Sequence, residues 1–238
     1  MHGLYAIADV DSLATRGLDP VTFAEAVVSV RPAALQLRAK SSPPREVLGW
    51  LRALACLCRK AKLPLVANDR ADLAVLAGCD MVHVGQDDFP VELARRIAPT
   101  LGIGISTHSL EQLRRALADA PSYVAFGPVF PTRSKRGADP VVGTSLLAEA
   151  HVLAKAAGIP LVAIGGITLE NAAQVRAHCD AAAVIGGLLP ESLPTSPLVL
   201  REVLAERAAS LHEALGGTRS ASPPAVTSSA FRAATHVP

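Results

Sequence analysis

The sequence predicts a single α/β domain folded as a closed (β/α)8 barrel, and three observations carry that prediction. Short apolar runs alternate with Ala-, Leu- and Arg-rich amphipathic stretches through most of the 238 residues. The runs are apolar without clean alternation, as strands of a parallel sheet buried on both faces must be. No Gly-x-Gly-x-x-Gly turn opens a first helix, as an open doubly wound sheet would favour, and the glycine-bearing strand ends come late in the chain.

In order, strands are expected at 4–8, 34–37, 65–67, 81–84, 103–106, 123–126, 161–164 and 182–185. Helical patterns lie between them at 44–62, 90–98, 110–117, 145–157 and 169–177, with a last one at about 198–215. These elements make residues 1–215 a catalytic barrel domain. From Gly216 to the end the chain turns rich in Ser, Thr, Ala and Pro and loses all periodicity, so 216–238 is expected to be a disordered tail that tolerates truncation.

Composition narrows the function classes. Apolar residues make up 50% and charged residues 18%, which describes a globular chain rather than a disordered one. The net charge of +2 comes from nearly balanced acids and bases and gives no reason to expect nucleic acid or a membrane surface as a partner. No apolar run approaches the roughly 18 residues of a membrane span. The start, Met1-His2-Gly3-Leu4-Tyr5, has no basic segment followed by a long apolar one, so the expected location is the cytoplasm. The cysteines agree: Cys56 and Cys58 point to different faces of one helix, and Cys79 and Cys179 sit alone in matching places of two repeats. No pair has metal-site spacing, and all four are expected to be reduced core residues. A homo-oligomer is compatible with the sequence and not specified by it.

Polar residues concentrate just after the strands, at the end of a barrel where active sites are built. After the second strand, alternation sends Gln36, Arg38 and Lys40 to one side and Leu37 and Ala39 to the other. Long polar side chains in a barrel mouth ask for an anionic or hydrogen-bonding ligand; the plainer alternative is a pair of surface cations on a loop. The third strand ends in Asn68-Asp69 and the fourth in His83-Val84-Gly85-Gln86-Asp87-Asp88. Neighbouring strands lie about 4.8 Å apart, so acids at their ends can converge on one ion. Magnesium takes one or two protein carboxylates and leaves its other positions to water and phosphate oxygens. Asp69 and Asp88 fit that role; Asp87 is the alternative ligand, or a cap of the helix starting near Pro90.

The fifth strand leads into Ser106-Thr107-His108, whose hydroxyls suit a phosphate oxygen, although Thr107 or Ser109 equally suits a helix cap. His108 and His83 are expected to be structural. The sixth strand opens a long loop, Phe126-Gly127-Pro128-Val129-Phe130-Pro131-Thr132-Arg133-Ser134-Lys135-Arg136, rich in hydroxyls and cations. Such a loop on a rigid scaffold is expected to close over a pyrophosphate, with Thr132 and Ser134 as hydrogen-bonding groups and Lys135 as the counter-charge. The seventh strand ends in Gly165-Gly166 and the eighth in Gly186-Gly187. Glycines there let backbone N–H groups approach a phosphate, at the usual phosphate site of a barrel.

Taken together, these stretches resemble the thiamine-phosphate synthase family. The matching segments are QLRAK, ANDRADLA, VHVGQDDFP, GISTHS, FGPVFPTRSK and AIGGIT, in the family's order and spacing, from Leu4 to about Leu189. The resemblance implies a transferase that joins hydroxymethylpyrimidine pyrophosphate to thiazole phosphate with loss of pyrophosphate. It implies that Gln36, Arg38, Lys40 and Asn68 hold the pyrimidine substrate and that Asp69 and Asp88 carry Mg2+. It gives Ser106 and Lys135, with Arg38, the departing pyrophosphate, and places Thr132 and Ser134 beside the thiazole phosphate. Gly165, Gly166, Gly186 and Gly187 would meet that phosphate through their backbone. Gly186 departs from the family, which commonly has serine there, so one side-chain hydrogen bond to the thiazole phosphate is missing. Two rival readings are a thiazole tautomerase-like barrel and a non-catalytic phosphate-ligand sensor. The tautomerase has a catalytic histidine where Pro128 stands and generally lacks acids corresponding to Asp69 and Asp88; a sensor would need neither those acids nor Lys135.

Overall fold

A computed structural model describes residues 1–132 and 139–218. Its strands are β1 (Gly3–Asp9), β2 (Ala34–Arg38), β3 (Leu65–Asn68), β4 (Met81–Val84), β5 (Gly102–Thr107), β6 (Tyr123–Phe126), β7 (Leu161–Ile164) and β8 (Ala181–Val184). They form one closed barrel in sequence order, all parallel. β1 and β8 complete the circle through Gly3↔Ala181, Leu4↔Ala182, Tyr5↔Ala183 and Ala6↔Val184. The helices are α1 (Val10–Ala14), α2 (Pro20–Val27), α3 (Pro44–Ala61), α4 (Ala71–Ala77), α5 (Val91–Ile97), α6 (Leu110–Ala118), α7 (Gly143–Ala156), α8 (Ala172–Arg176) and α9 (Pro197–Ala214). This is the (β/α)8 architecture the sequence predicts.

Two layers of side chains explain why the strands read as continuous apolar runs. Leu4, Ala6 and Ala8 of β1, with Leu35 and Leu37 of β2, belong to the layer packed under the helices with Phe23, Leu51, Leu54, Leu113, Leu147 and Leu204. The opposite parity fills the barrel: Tyr5 and Ile7, Ala34, Val66, Tyr123 and Ala125, Val162, Ala181 and Ala183. Each fully buried large aliphatic side chain contributes roughly 1.5–3 kcal/mol relative to exposure. Four of the interior residues are alanines, and they leave room for two tyrosine rings. At Gly104 a Cβ would lie 2.0 Å from Tyr123 Cζ, so that glycine is required by the ring beside it.

The expected strands agree with the observed ones to within about two residues at either end. The helical pattern at 169–177 contracts to α8, since Thr168 and Asn171 form a turn first: Asn171 Oδ1 accepts from the Thr168 N–H at 2.8 Å. Matching turns occur half a barrel apart. Asp80 accepts from the Leu65 N–H at 2.8 Å, and Asp180 accepts from the Leu161 N–H at 2.8 Å. Cys79 and Cys179 precede these acids, as the repeat predicts; Cys58 and Cys79 are buried and Cys179 is half-buried. Cys56 is exposed, which corrects the expectation that all four cysteines lie in the core.

Helices α1 and α2 are short pieces that the periodicity does not reveal. Their local chemistry accounts for them: Asp9 accepts from the Ser12 N–H, while Asp19 accepts from the Val21 and Thr22 N–H groups ahead of Pro20 at the first turn. At the bottom of the barrel, α9 brings buried His212 against β1, where Nδ1 accepts from the Leu4 N–H at 3.2 Å. His2 Nε2 donates to the Gly216 carbonyl at 2.8 Å, tying the start of the chain to the end of α9. Residues 219–238, most of the predicted tail, lie outside the described residues. Among the described residues, no helix is long and apolar enough to cross a membrane.

Candidate active site

A cavity of about 510 Å3 opens where the strands end. Gln36, Arg38, Lys40, Asn68, Asp69, Asp88, Ser106, Thr132, Gly165, Gly166, Gly186 and Gly187 all line it. Ser134 and Lys135, the remaining two expected site residues, lie outside the described residues.

The inward parity of β2 sets the first three. Gln36 is buried in the floor, Arg38 is half-buried above it, and Lys40 is exposed beyond the strand end. Arg38 Nη1 lies 2.5 Å from Asp9 Oδ2, and Asp9 is 2% exposed. The other Asp9 oxygen accepts from the Ser12 N–H and hydroxyl at 3.0 and 2.5 Å. Asp9 therefore caps α1 and orients the guanidinium together. Its charge-assisted bond is of the strong kind. Sequence reasoning missed Asp9; its signal was an acid at a strand end, one residue before a helix.

Lys40 Nζ is 2.7 Å from Asp69 Oδ2. Asp69 has left-handed φ of 63°, uncommon for a residue with a side chain, and its N–H donates to the His83 carbonyl at 2.8 Å. Asp88 Oδ2 accepts from the Gly85 N–H at 2.7 Å. Burial raises the Asp69 carboxyl above its usual range, opposed by the Lys40 hydrogen bond and reinforced by the one to Asp88. For Asp88, burial works upward, but the Gly85 N–H, the Asp69 hydrogen bond and Lys40 outweigh it and the carboxyl falls below its usual range. The two carboxyls shift in opposite directions, as neighbouring acids that share one site do. Asp87 is exposed and Pro90, not Asp87, occupies the cap of α5. The pair fits Mg2+: two carboxylates at a polar mouth, leaving most positions to water and ligand oxygens. Among the described residues, no group of three or more His, Cys, Asp or Glu side chains is arranged to hold a metal ion. An ion here would depend on a ligand's own oxygens.

The cavity floor is polar. Tyr5 donates to Gln36 Oε1 at 2.7 Å and meets the Tyr123 hydroxyl at 2.8 Å. His83 joins Tyr123 at 2.8 Å through Nδ1 and Ser106 at 2.7 Å through Nε2. Burial lowers the His83 pKa to about 4, so the imidazole is neutral, and burial raises both tyrosines. The expectation that His83 is structural understates its position one bond from Ser106. Tyr5 and Tyr123 were also missed; the parity that sends Gln36 inward sends them inward too.

The opposite wall is backbone. Gly165 and Gly166 have φ of 100° and 66°. A Cβ on Gly165 would come within 2.5 Å of Pro128 Cα, and one on Gly166 within 2.4 Å of the Pro131 carbonyl oxygen. Only glycine lets β7 end this close to the loop after β6, which carries a cis Gly127–Pro128 bond. Thr107 is buried and donates to the Ala125 carbonyl at 2.8 Å, so its hydroxyl faces the barrel wall rather than a phosphate. Ser109 caps α6, accepting from the Gln112 N–H at 3.2 Å. His108 Nδ1 lies 2.6 Å from the Gly127 carbonyl and Nε2 3.4 Å from Asp139 Oδ2. It pins the loop after β6 at both ends.

The family model described as thiamine monophosphate synthase matches residues 4–188. The chain is 42% identical over 225 residues to a thiamine-phosphate synthase of Anaeromyxobacter dehalogenans, covering 94% of this chain and 93% of that one. It is 44% identical over 194 residues to a thiamine-phosphate synthase of Koribacter versatilis, covering 78% and 88%. Among solved structures, a thiamine phosphate pyrophosphorylase from Pyrococcus furiosus superposes with a TM-score of 0.74 at 32% identity, covering 90% of this chain and 97% of that one.

Proposed function

The chain belongs to the thiamine monophosphate synthase family, and from that premise we propose how its cavity does the work of the family. Its activity is that of a thiamine-phosphate synthase, a transferase of thiamine biosynthesis. The observation that carries the residue-level reading is the division of one cavity into two differently built halves. One half has two cations and an acid pair over an amide-lined floor; the other is glycine backbone.

In this reading the cationic half takes hydroxymethylpyrimidine pyrophosphate. Gln36 and Asn68 address the pyrimidine from the floor. Arg38, oriented by Asp9, and Lys40 meet the pyrophosphate oxygens, together with Ser106. Asp69 and Asp88 would hold Mg2+, which would supply positive charge to a departing pyrophosphate. Lys40 then exchanges its bond to Asp69 for one to the substrate. The C–O bond to pyrophosphate breaks, and the pyrimidine methylene carbon becomes an electrophile for the thiazole nitrogen. Gly165, Gly166, Gly186 and Gly187 hold the thiazole phosphate so that this nitrogen faces the methylene carbon. As the family resemblance implies, Thr132 and Ser134 would contact that phosphate and Lys135 the leaving group. No side chain forms a covalent bond to either substrate; the protein positions two reactants and stabilises a leaving anion. The phosphorylated substrates, which do not cross membranes unaided, and the free thiols support a cytoplasmic location.

The experiment removes the ion and then its ligands. EDTA abolishes coupling, and Asp69→Ala and Asp88→Ala each lose at least about a hundredfold in kcat/KM, roughly 2.7 kcal/mol or more of transition-state stabilisation. Full activity in chelator, or normal turnover by Asp88→Ala, contradicts the assignment.

A further inference from the structure

Six polar side chains form an unbroken hydrogen-bonded chain across the cavity floor, one from each of β1 to β6. Asn68, Gln36, Tyr5, Tyr123, His83 and Ser106 are joined in that order at 2.8, 2.7, 2.8, 2.8 and 2.7 Å. The four inner members are buried, between 1% and 8% exposed. The two ends are half-buried and line the cavity.

Proton counting gives the chain a single direction. Each tyrosine has one proton, a neutral imidazole has one N–H and one acceptor nitrogen, and an amide carries donor and acceptor on separate arms. An inner member that donates on one side must accept on the other. Here Tyr5 donates to Gln36 Oε1, and Gln36 Nε2 donates to Asn68 Oδ1. Tyr5 therefore accepts from Tyr123, Tyr123 accepts from His83 Nδ1–H, and His83 Nε2 accepts the one proton of Ser106. Ser106 then offers the cavity only lone pairs, while Asn68 offers N–H donors. Reversing the chain reverses both ends: Ser106 becomes a donor and Asn68 presents its oxygen.

A pyrophosphate oxygen has no proton to give, so it can bond to Ser106 only in the reversed direction. We propose that the chain couples the two halves of one substrate: a pyrophosphate that accepts from Ser106 turns the chain around and presents the Asn68 oxygen to the amino group of an aminopyrimidine. The proton count is the same in both directions. The imidazole releases a proton from Nδ1 and takes one at Nε2 by exchange with water, while the hydroxyls and the two amides rotate. Tyr5, Tyr123 and His83 are positioning residues that act through Asn68 and Ser106. The inference rests on the substrate assignment above and adds that ring and pyrophosphate are recognised together.

The test uses the full chain with 15N-labelled histidine, the His83 signals being assigned with His83→Gln. The imidazole proton is expected on Nδ1 in the free protein and on Nε2 with magnesium and inorganic pyrophosphate. A methyl-substituted aminopyrimidine without a pyrophosphate group then serves as the ring probe. Wild type is expected to bind it about tenfold more tightly when magnesium pyrophosphate is present, and Tyr123→Phe to lose most of that gain. That variant keeps the ring and its packing and cuts the chain in the middle. A proton on the same nitrogen in both states overturns the coupling, and so does a full tenfold gain in Tyr123→Phe. Turnover of the two substrates by the same wild-type sample separates the two levels. Normal turnover with an unmoved proton removes only this inference; absent turnover removes the substrate assignment beneath it.

Discussion

Single residues in this barrel carry more than one duty, and His83 shows what that costs. It lies in the barrel interior as a neutral imidazole because burial holds its pKa at about 4. In the unfolded chain the same group titrates near 6.5. Above that value both states are neutral, and stability is full. As pH falls through the window between the two values, the unfolded chain gains a proton that the folded one refuses. The protein should thus lose about 2 kcal/mol between about pH 7 and pH 5, a loss His83→Gln removes. Denaturant midpoints at the two pH values test this, and equal losses in both proteins would contradict it. His212, also lowered mainly by burial, adds a loss of the same sign that both proteins share. Gly166 carries a different burden. A Cβ there meets the Pro131 carbonyl, and φ is 66°. Gly166→Ala should raise KM for thiazole phosphate by about tenfold or more, roughly 1.4 kcal/mol, and leave KM for the pyrimidine substrate nearly unchanged. Circular dichroism first establishes that the variant folds; equal weakening of both substrates contradicts the division of the cavity. Gly166, Arg38 and Asp69 were legible in the sequence because each follows a recognisable strand. Tyr5 and Tyr123 were not, since each sits inside an apolar run and looks like core until Gln36 and His83 are brought beside it.

Elements in this fold end by local chemistry, and where that chemistry is imperfect it can be improved. Helix α3 closes at Lys62, which is exposed and adopts φ of 56° with its N–H donating to the Arg59 carbonyl at 3.2 Å. A side chain in the left-handed region costs roughly 1–2 kcal/mol, and glycine avoids it. Lys62→Gly should therefore stabilise the protein by about 0.5–1 kcal/mol after the added freedom of the unfolded chain is counted. The reading is a urea midpoint that rises with an unchanged slope; a midpoint that falls contradicts the strain argument. Helices α3 and α6 were visible as amphipathic periods, and α7 and α9 as long Ala- and Leu-rich stretches. Helices α1 and α2, 5 and 8 residues long, start where Asp9 and Asp19 cap their first turns. Asp9 caps α1 with one oxygen and orients Arg38 with the other, so an element boundary and a site residue are one feature.

At the scale of the molecule, barrel closure is what turns scattered polar residues into a site. Tyr5 and Tyr123 are 118 residues apart in the chain and 2.8 Å apart at their hydroxyls. The strands and their order could be read from the sequence because a doubly buried parallel strand has few compositions open to it. The floor network could not, because it exists only once six strands share one interior. The account's central claim is that this one cavity joins two phosphorylated substrates, with pyrophosphate leaving from its cationic half. The most direct measurement is turnover of hydroxymethylpyrimidine pyrophosphate and thiazole phosphate with magnesium, following thiamine phosphate and pyrophosphate together. The account predicts that both appear in equal amounts, and that neither appears when one substrate is withheld. Pyrophosphate released without coupling, or no product from either substrate, would contradict it.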